Sequence, residues 1–167
     1  LINLIPEPPT YQVDGPWPKF GRTQGNSGYS PLRASQTNRI IFEFRGAIVS
    51  KFGVREPADF NAGFAVAADG TIYYPAQPFL FAIDPFGVRK WRFVTRGANF
   101  GTTPTLGADG TIYIGTSEST TGNKFFAINP DGSERWQYVL SGDDIQSSAV
   151  IGNDGLVYVV TKNGFIY

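Results

Sequence analysis

Residues 103–113 read TPTLGADGTIY, and the chain carries a close copy upstream and a looser copy downstream. The upstream copy at 63–73 reads GFAVAADGTIY, and the downstream copy at 148–158 reads SAVIGNDGLVY. Each copy is an apolar stretch, an Asp-Gly pair and a second β-rich stretch. This pattern predicts a β-hairpin, because Asp-Gly favours a tight turn with positive φ. A repeat of this kind indicates a repeat architecture, and it is stronger evidence for the fold than any single predicted strand.

A second block follows the first in two copies. Residues 81–93 read FAIDPFGVRKWRF, and residues 126–138 read FAINPDGSERWQY. In each copy an Asx-Pro turn with a following Gly joins a Phe-Ala-Ile strand to a strand that carries a tryptophan. A third copy begins at 165–167. The two blocks together give four short antiparallel strands in a unit of about 40–45 residues, which is typical of a propeller blade.

These blocks resemble the PQQ-type (quinoprotein) propeller repeat, which runs from an apolar strand through Asp-Gly-Thr-Ile-Tyr and Ala-Ile-Asp-Pro to Gly and Trp. The resemblance covers residues 16–167, and the segment WPKFGRT at 17–23 is similar to the one that opens such propellers. It implies an all-β fold, a β-propeller segment of four-stranded PQQ-like blades. It also implies that Trp91 and Trp136 dock between neighbouring blades.

The chain divides into an extended Pro/Gly-rich N-terminal arm with the opening motif at 1–38 and a partial propeller at 39–167. Blades are predicted near 62–94, 102–139 and 147–167, the last together with 39–44. In the alignment of the repeats, Phe42 occupies the position that Trp91 has in the first full unit. This is about three blades' worth of strands, whereas closed propellers have about 4–8 blades. We expect further chain, or blades of another chain, to complete the ring.

The composition excludes several classes of function. Because 14 basic residues balance 14 acidic ones, the electrostatic case for nucleic acid is absent. The absence of His and Cys excludes Ser-His-Asp triads, histidine metal sites, disulfides and thiolate chemistry. No apolar run of about 18 residues occurs, so the sequence predicts no transmembrane segment.

The repeated acids and tryptophans have two interpretations each. A ring of acids would bind a cation or a sugar, and the tryptophans would stack on a planar ligand. Their recurrence at one repeat position favours turn formation and blade packing instead. We therefore predict no catalytic, cofactor-binding or metal-binding residues. The predicted structural repeat positions are Phe42, Asp69, Gly70, Trp91, Asp109, Gly110, Trp136, Asp154 and Gly155.

The N-terminus begins with a short apolar run, which a Pro-rich stretch follows at 6–9. Such a segment is extended and lacks donors for a sheet ladder. Two interpretations stay open. The segment is a terminus that is disordered or lies on the protein surface, or it is a docking arm that adds to a partner's sheet edge. The residues of this candidate arm are Leu1, Ile2, Leu4 and Ile5.

The resemblance and the composition together predict a non-catalytic scaffold or protein-interaction module, a subunit or fragment of a larger assembly in a periplasmic or extracellular protein. Its expected partners are proteins, further blades or a second copy. Two alternatives stay open, a fragment of a PQQ-dependent oxidoreductase and a carbohydrate- or cation-binding propeller. The oxidoreductase alternative implies, from the family resemblance, a calcium ion held by Glu, Asn and Asp, often beside a Cys pair. The chain has no Cys and no cluster that matches, so we expect no cofactor.

Overall fold

The structure is a computed structural model that describes residues 47–49, 55–57, 62–95, 99–117, 122–140, 144–145 and 147–167. Within these ranges the chain is all-β, its strands pair antiparallel, and it holds no helix that could cross a membrane. The strands are β1 (Ala47–Val49), β2 (Arg55–Pro57), β3 (Ala65–Val66), β4 (Ile72–Ala76), β5 (Phe79–Ile83), β6 (Arg89–Val94), β7 (Asn99–Phe100), β8 (Thr105–Leu106), β9 (Ile112–Ser117), β10 (Asn123–Ile128), β11 (Glu134–Leu140), β12 (Val150–Ile151) and β13 (Val157–Tyr158). The candidate docking arm and Phe42, with its predicted strand at 39–44, lie outside the described residues.

Sheet 1 consists of β3, β4, β5 and β6 in that order, so each strand pairs with its neighbour in the chain. Alternating exposure along β6 reflects a strand with one face toward the core and one toward solvent. In contrast, β5 is almost wholly buried. The four strands therefore form one compact meander over the stretch predicted near 62–94.

Sheet 2 repeats this meander with β8, β9, β10 and β11, and β7 adds a fifth strand. Both β7 and β8 pair with the same edge of β9, at its end and at its start respectively. The sequence patterns did not predict β7, nor the separate hairpin of β1 with β2. These three strands have only two or three residues each, which is too short for alternation to be recognised.

Sheet 3 is smaller than the other two. Strand β12 pairs with β13, and the segment after β13 turns back on itself. Val159 and Tyr167 exchange two main-chain hydrogen bonds of 3.0 Å each, so the last residues form a short third strand. Sheet 3 thus contains the first parts of a third unit.

The three Asp-Gly turns share one geometry. In the middle turn the Gly107 amide donates to the Thr111 carbonyl at 2.8 Å, and the Gly110 amide donates to the Gly107 carbonyl at 3.0 Å. The equivalent bonds recur in the other two turns with the same lengths. Gly110 has a φ of 81°, a left-handed conformation that is costly for any residue with a Cβ. The Asp-Gly pair therefore joins two strands in each unit.

Apolar side chains between sheets 1 and 2 form the main core. Leu80 and Ala82 of β5 contribute from sheet 1, and Ile112, Ile114 and Phe126 contribute from sheet 2, all at most 2% exposed. A second core joins the other face of sheet 2 to sheet 3. The central strands of sheet 2 are thus covered on both faces, which explains the nearly continuous burial of β9 and β10.

Candidate functional site

The predicted turn acids bind to their own turns. Asp109 accepts a hydrogen bond of 3.0 Å from the Thr111 amide, and Arg135 Nη1 donates to Asp109 Oδ2 at 2.6 Å. In sheet 1, the Thr71 amide donates to Asp69 at 2.9 Å, and the Lys90 ammonium lies 3.6 Å from the same carboxylate. Both carboxylates are therefore occupied by local donors.

A β-bulge in each sheet brings the basic residue to the acid. The register between β5 and β6 shifts after Ala82, and the register between β10 and β11 shifts after Ala127. In each case the unpaired residue is the base that directly precedes the tryptophan, Lys90 or Arg135. A bulge redirects the extra side chain, and here it directs the base over the Asp-Gly turn.

Asp154, the third turn acid, has different partners. Its carboxylate accepts from the Leu156 amide at 3.0 Å and from the Tyr158 hydroxyl at 3.1 Å. Unlike Asp69 and Asp109, Asp154 has no basic side chain paired with it among the described residues. The described parts of the chain also hold no cluster of three acids that could bind a metal ion.

The pKa values of two turn acids follow from these contacts. Burial alone would raise the pKa of Asp69, but the hydrogen bonds from Thr71 and the charge of Lys90 outweigh it and lower the pKa. The pKa of Asp109 is lowered in the same way. Burial would raise it, but hydrogen bonds outweigh burial, and the one from Arg135 has the largest effect among them. Both acids are thus held as carboxylates within structural contacts.

Trp91 lies between sheets 1 and 2. Its indole N–H donates to the Pro130 carbonyl at 2.8 Å, and Pro130 belongs to the Asx-Pro turn of sheet 2. The ring of Tyr73 lies 5.7 Å from the ring of Trp91 within sheet 1. One tryptophan therefore fastens its own sheet to a turn of the next one.

Gly132 allows the indole to approach this turn. A Cβ at Gly132 would stand 2.6 Å from Cδ2 of Trp91, well inside van der Waals contact, and the glycine also has a φ of +89°. Next to the indole, Phe93 packs edge-on against Phe126 at 5.3 Å between ring centroids. Trp91 thus contacts a carbonyl and a glycine of the turn, while Phe93 beside it packs against β10.

Trp136 occupies the same place in sheet 2, but among the described residues no such turn lies against it. Its ring lies 6.0 Å from Tyr113, the counterpart of Tyr73. Trp136 is 40% exposed and Tyr138, the counterpart of Phe93, is 57% exposed. Among the described residues none accepts a hydrogen bond from the Trp136 indole.

An apolar groove of about 530 Å³ lies beside Trp136. Trp136 and Tyr138 of β11 form one wall, and Val157, Val159 and Tyr167 of sheet 3 form the other. We call this space the Trp136 groove. Exposed aromatic and aliphatic side chains gathered in one concave patch mark interaction surfaces more often than isolated ones do, so this groove is the candidate functional site.

Sequence reasoning placed both tryptophans in one class and missed that their surroundings differ. The difference lies in the contacts of each tryptophan with the next sheet, not in the local sequence around Trp136. It also missed the pairing of Lys90 and Arg135 with the turn acids, although each base directly precedes its tryptophan. That recurrent position was the available signal.

None of the protein-family models matches this chain, and none of the curated proteins is significantly similar to it. The resemblance to PQQ-type repeats therefore depends on the repeated residues alone. The geometry of the turns and of the tryptophans is the basis for any proposal about function.

The pH dependence of stability offers a first prediction, at Tyr73. Burial, reinforced by the nearby Asp69 carboxylate, raises the pKa of Tyr73 to about 12. Since the folded state favours the neutral phenol, its contribution is complete below pH 10 and is lost as the pH rises toward 12. Urea unfolding at increasing pH should show a shallower loss of stability for Tyr73→Phe than for the unmodified chain. Equal slopes would contradict the assignment.

Proposed function

We propose that the chain is a PQQ-like β-propeller module that acts as a non-catalytic scaffold for protein interaction within a larger assembly. Two meanders support the propeller fold in this proposal. Sheets 1 and 2 have the same strand order, and their apolar side chains pack together in one core. The start of a third meander in sheet 3 adds to this support.

The Trp136 groove is the observation that carries the interaction part. Trp91 shows how this chain covers such a tryptophan, with the Asx-Pro turn of a neighbouring sheet. Trp136 and Tyr138 form the equivalent aromatic pair of sheet 2, and both are exposed. The exposed pair is suited to a protein surface, because aromatic side chains provide large contact areas at interfaces.

A non-catalytic role is supported by the chemistry of the side chains. The chain has neither His nor Cys. Asp69 and Asp109, which would be the first candidates for acid–base work, are paired with Lys90 and Arg135 and bonded to their own turns. Strong local pairing of this kind favours a permanently ionised, structural carboxylate over a proton donor.

Co-purification from the native source tests the interaction role. We expect a partner to remain with the unmodified chain and to be lost with Tyr138→Glu, because a charge in the groove would have to be desolvated. Phe86→Glu is the matched control, since Phe86 is an exposed aromatic on a turn of sheet 1. Loss of the partner in both variants, in neither, or no partner at all would contradict the proposal.

A thermal shift measurement with PQQ and calcium addresses the oxidoreductase alternative. The proposal expects no change in melting temperature with the two ligands together. A saturable rise would overturn the non-catalytic assignment, because any ligand that binds only the folded state must stabilise it.

A further inference from the structure

The turn at residues 161–165 contains the sequence's only Asn-Gly pair, Asn163–Gly164. The Thr161 amide donates to the Phe165 carbonyl at 3.0 Å, and the Gly164 amide donates to the Thr161 carbonyl at 3.0 Å. Gly164 has a φ of 84°. The Asp-Gly turns have the same pattern of main-chain bonds and the same glycine conformation. Asn163 therefore occupies the position that an aspartate has in those turns.

Aspartate makes a specific hydrogen bond at this position in four other turns of the same geometry. The carboxylate accepts from the main-chain amide two residues further on, at 2.9–3.0 Å. The four aspartates are Asp69, Asp109, Asp131 and Asp154. An ionised acceptor strengthens a hydrogen bond from a main-chain amide. The geometry of the turn at 161–165 therefore suits an aspartate at position 163.

The surroundings of Asn163 favour attack on its side chain. Asn163 and Gly164 are both exposed, and among the described residues a Cβ at Gly164 would meet nothing within 4 Å. The main-chain nitrogen that follows an asparagine is a nearby nucleophile, and glycine leaves this nitrogen unshielded by a side chain. The neutral carboxamide of Asn163 is also a better electrophile than an ionised carboxylate. The turn thus combines an accessible nucleophile with a reactive carbonyl carbon.

We propose that Asn163 is a site of spontaneous deamidation, and that the turn retains the aspartyl product. The Gly164 nitrogen gives its proton to hydroxide and attacks Cγ of Asn163. The new N–Cγ bond closes a cyclic imide, the Cγ–Nδ2 bond breaks, and Nδ2 takes a proton from water and leaves as ammonia. Water then opens the imide at Cγ to give isoaspartate's isomer aspartate, or at the main-chain carbonyl carbon to give isoaspartate. The reaction requires local opening of the bond between the Gly164 amide and the Thr161 carbonyl.

The two products have different effects on the turn. Aspartate preserves the main chain and can accept the hydrogen bond seen in the four equivalent turns. Isoaspartate adds a methylene to the main chain between Asn163 and Gly164, which disturbs the spacing of the two bonds that close the turn. The same hairpin carries Val159 and Tyr167, which belong to one wall of the Trp136 groove. Isoaspartate at position 163 therefore loosens this wall, whereas aspartate maintains it.

Mass spectrometry of the folded chain during incubation at mildly alkaline pH tests the site. Peptide mapping follows the conversion of each asparagine with time. Asn153 is the internal control, because it is exposed and lies in a turn of the same geometry but precedes Asp154 instead of a glycine. We expect Asn163 to convert about tenfold faster than Asn153 or more. Conversion of Asn163 no faster than that of Asn153 would overturn the proposal.

Gly164→Asp is the matched control variant. Aspartate tolerates a positive φ better than most residues, but its side chain shields the main-chain nitrogen. We expect the conversion of Asn163 in this variant to slow to about the rate of Asn153 in the unmodified chain. An unchanged rate at Asn163 would show that Gly164 does not expose the nucleophile, and the proposed route would be wrong.

Thermal unfolding tests the fate of the product. Asn163→Asp should melt at the same temperature as the unmodified chain or higher, since the turn accommodates aspartate. The isoaspartyl fraction of the incubated chain, isolated by chromatography, should melt at a lower temperature. A lower melting temperature for Asn163→Asp, or equal melting temperatures for the aspartyl and isoaspartyl forms, would contradict selective retention of aspartate by the turn.

Discussion

Replacing Gly132 by alanine is expected to destabilise the folded chain by about 2–5 kcal/mol. Two effects add. A left-handed conformation costs a residue with a Cβ roughly 1–2 kcal/mol, and Gly132 has a φ of +89°. The new Cβ would also stand 2.6 Å from the Trp91 ring, and overpacking of this kind costs roughly 1–3 kcal/mol. Urea unfolding measures the sum as a shift in midpoint.

Gly155→Ala is the matched control for this experiment. Gly155 has a φ of +79°, but a Cβ there would meet nothing within 4 Å. It should therefore show the conformational cost alone, roughly 1–2 kcal/mol. If Gly132→Ala costs no more than Gly155→Ala, the indole of Trp91 does not constrain the turn at Gly132.

The elements that the sequence predicts well are those whose signal is local. The Asp-Gly pairs at 69, 109 and 154 each form the expected turn, because glycine alone adopts the required φ cheaply. The Asx-Pro turns at 84 and 129 follow for the same reason, since proline restricts φ and Gly87 and Gly132 both adopt a positive φ. All-β character and antiparallel pairing come directly from these turns.

What the sequence did not predict depends on contacts distant in the chain. The bulge in β11 brings Arg135 to Asp109, which lies 26 residues earlier in the first turn of sheet 2, and no pattern within β11 specifies this contact. Likewise β7 exists because it pairs with the end of β9. The groove could not be predicted either, since Trp91 and Trp136 occur in nearly the same local sequence.

The unequal surroundings of the two tryptophans lead to unequal roles in stability. Trp91 contributes to the core between sheets 1 and 2 and holds Pro130 through its indole. Trp136 contacts Tyr113 and Phe125 of its own sheet, but its outer face is open. The same residue type is thus held by a neighbouring sheet in one unit and is 40% exposed in the next.

Trp91→Ala is therefore expected to cost about 3 kcal/mol, near the lower end for removal of a large buried aromatic side chain, together with the loss of its hydrogen bond. Trp136→Ala should cost only about 1–2 kcal/mol, because the side chain is 40% exposed and has no carbonyl to release. Parallel urea unfolding of the two variants measures the difference. A larger loss for Trp136→Ala would mean that its face is already covered in the isolated chain, and it would remove the open groove on which the interaction role depends.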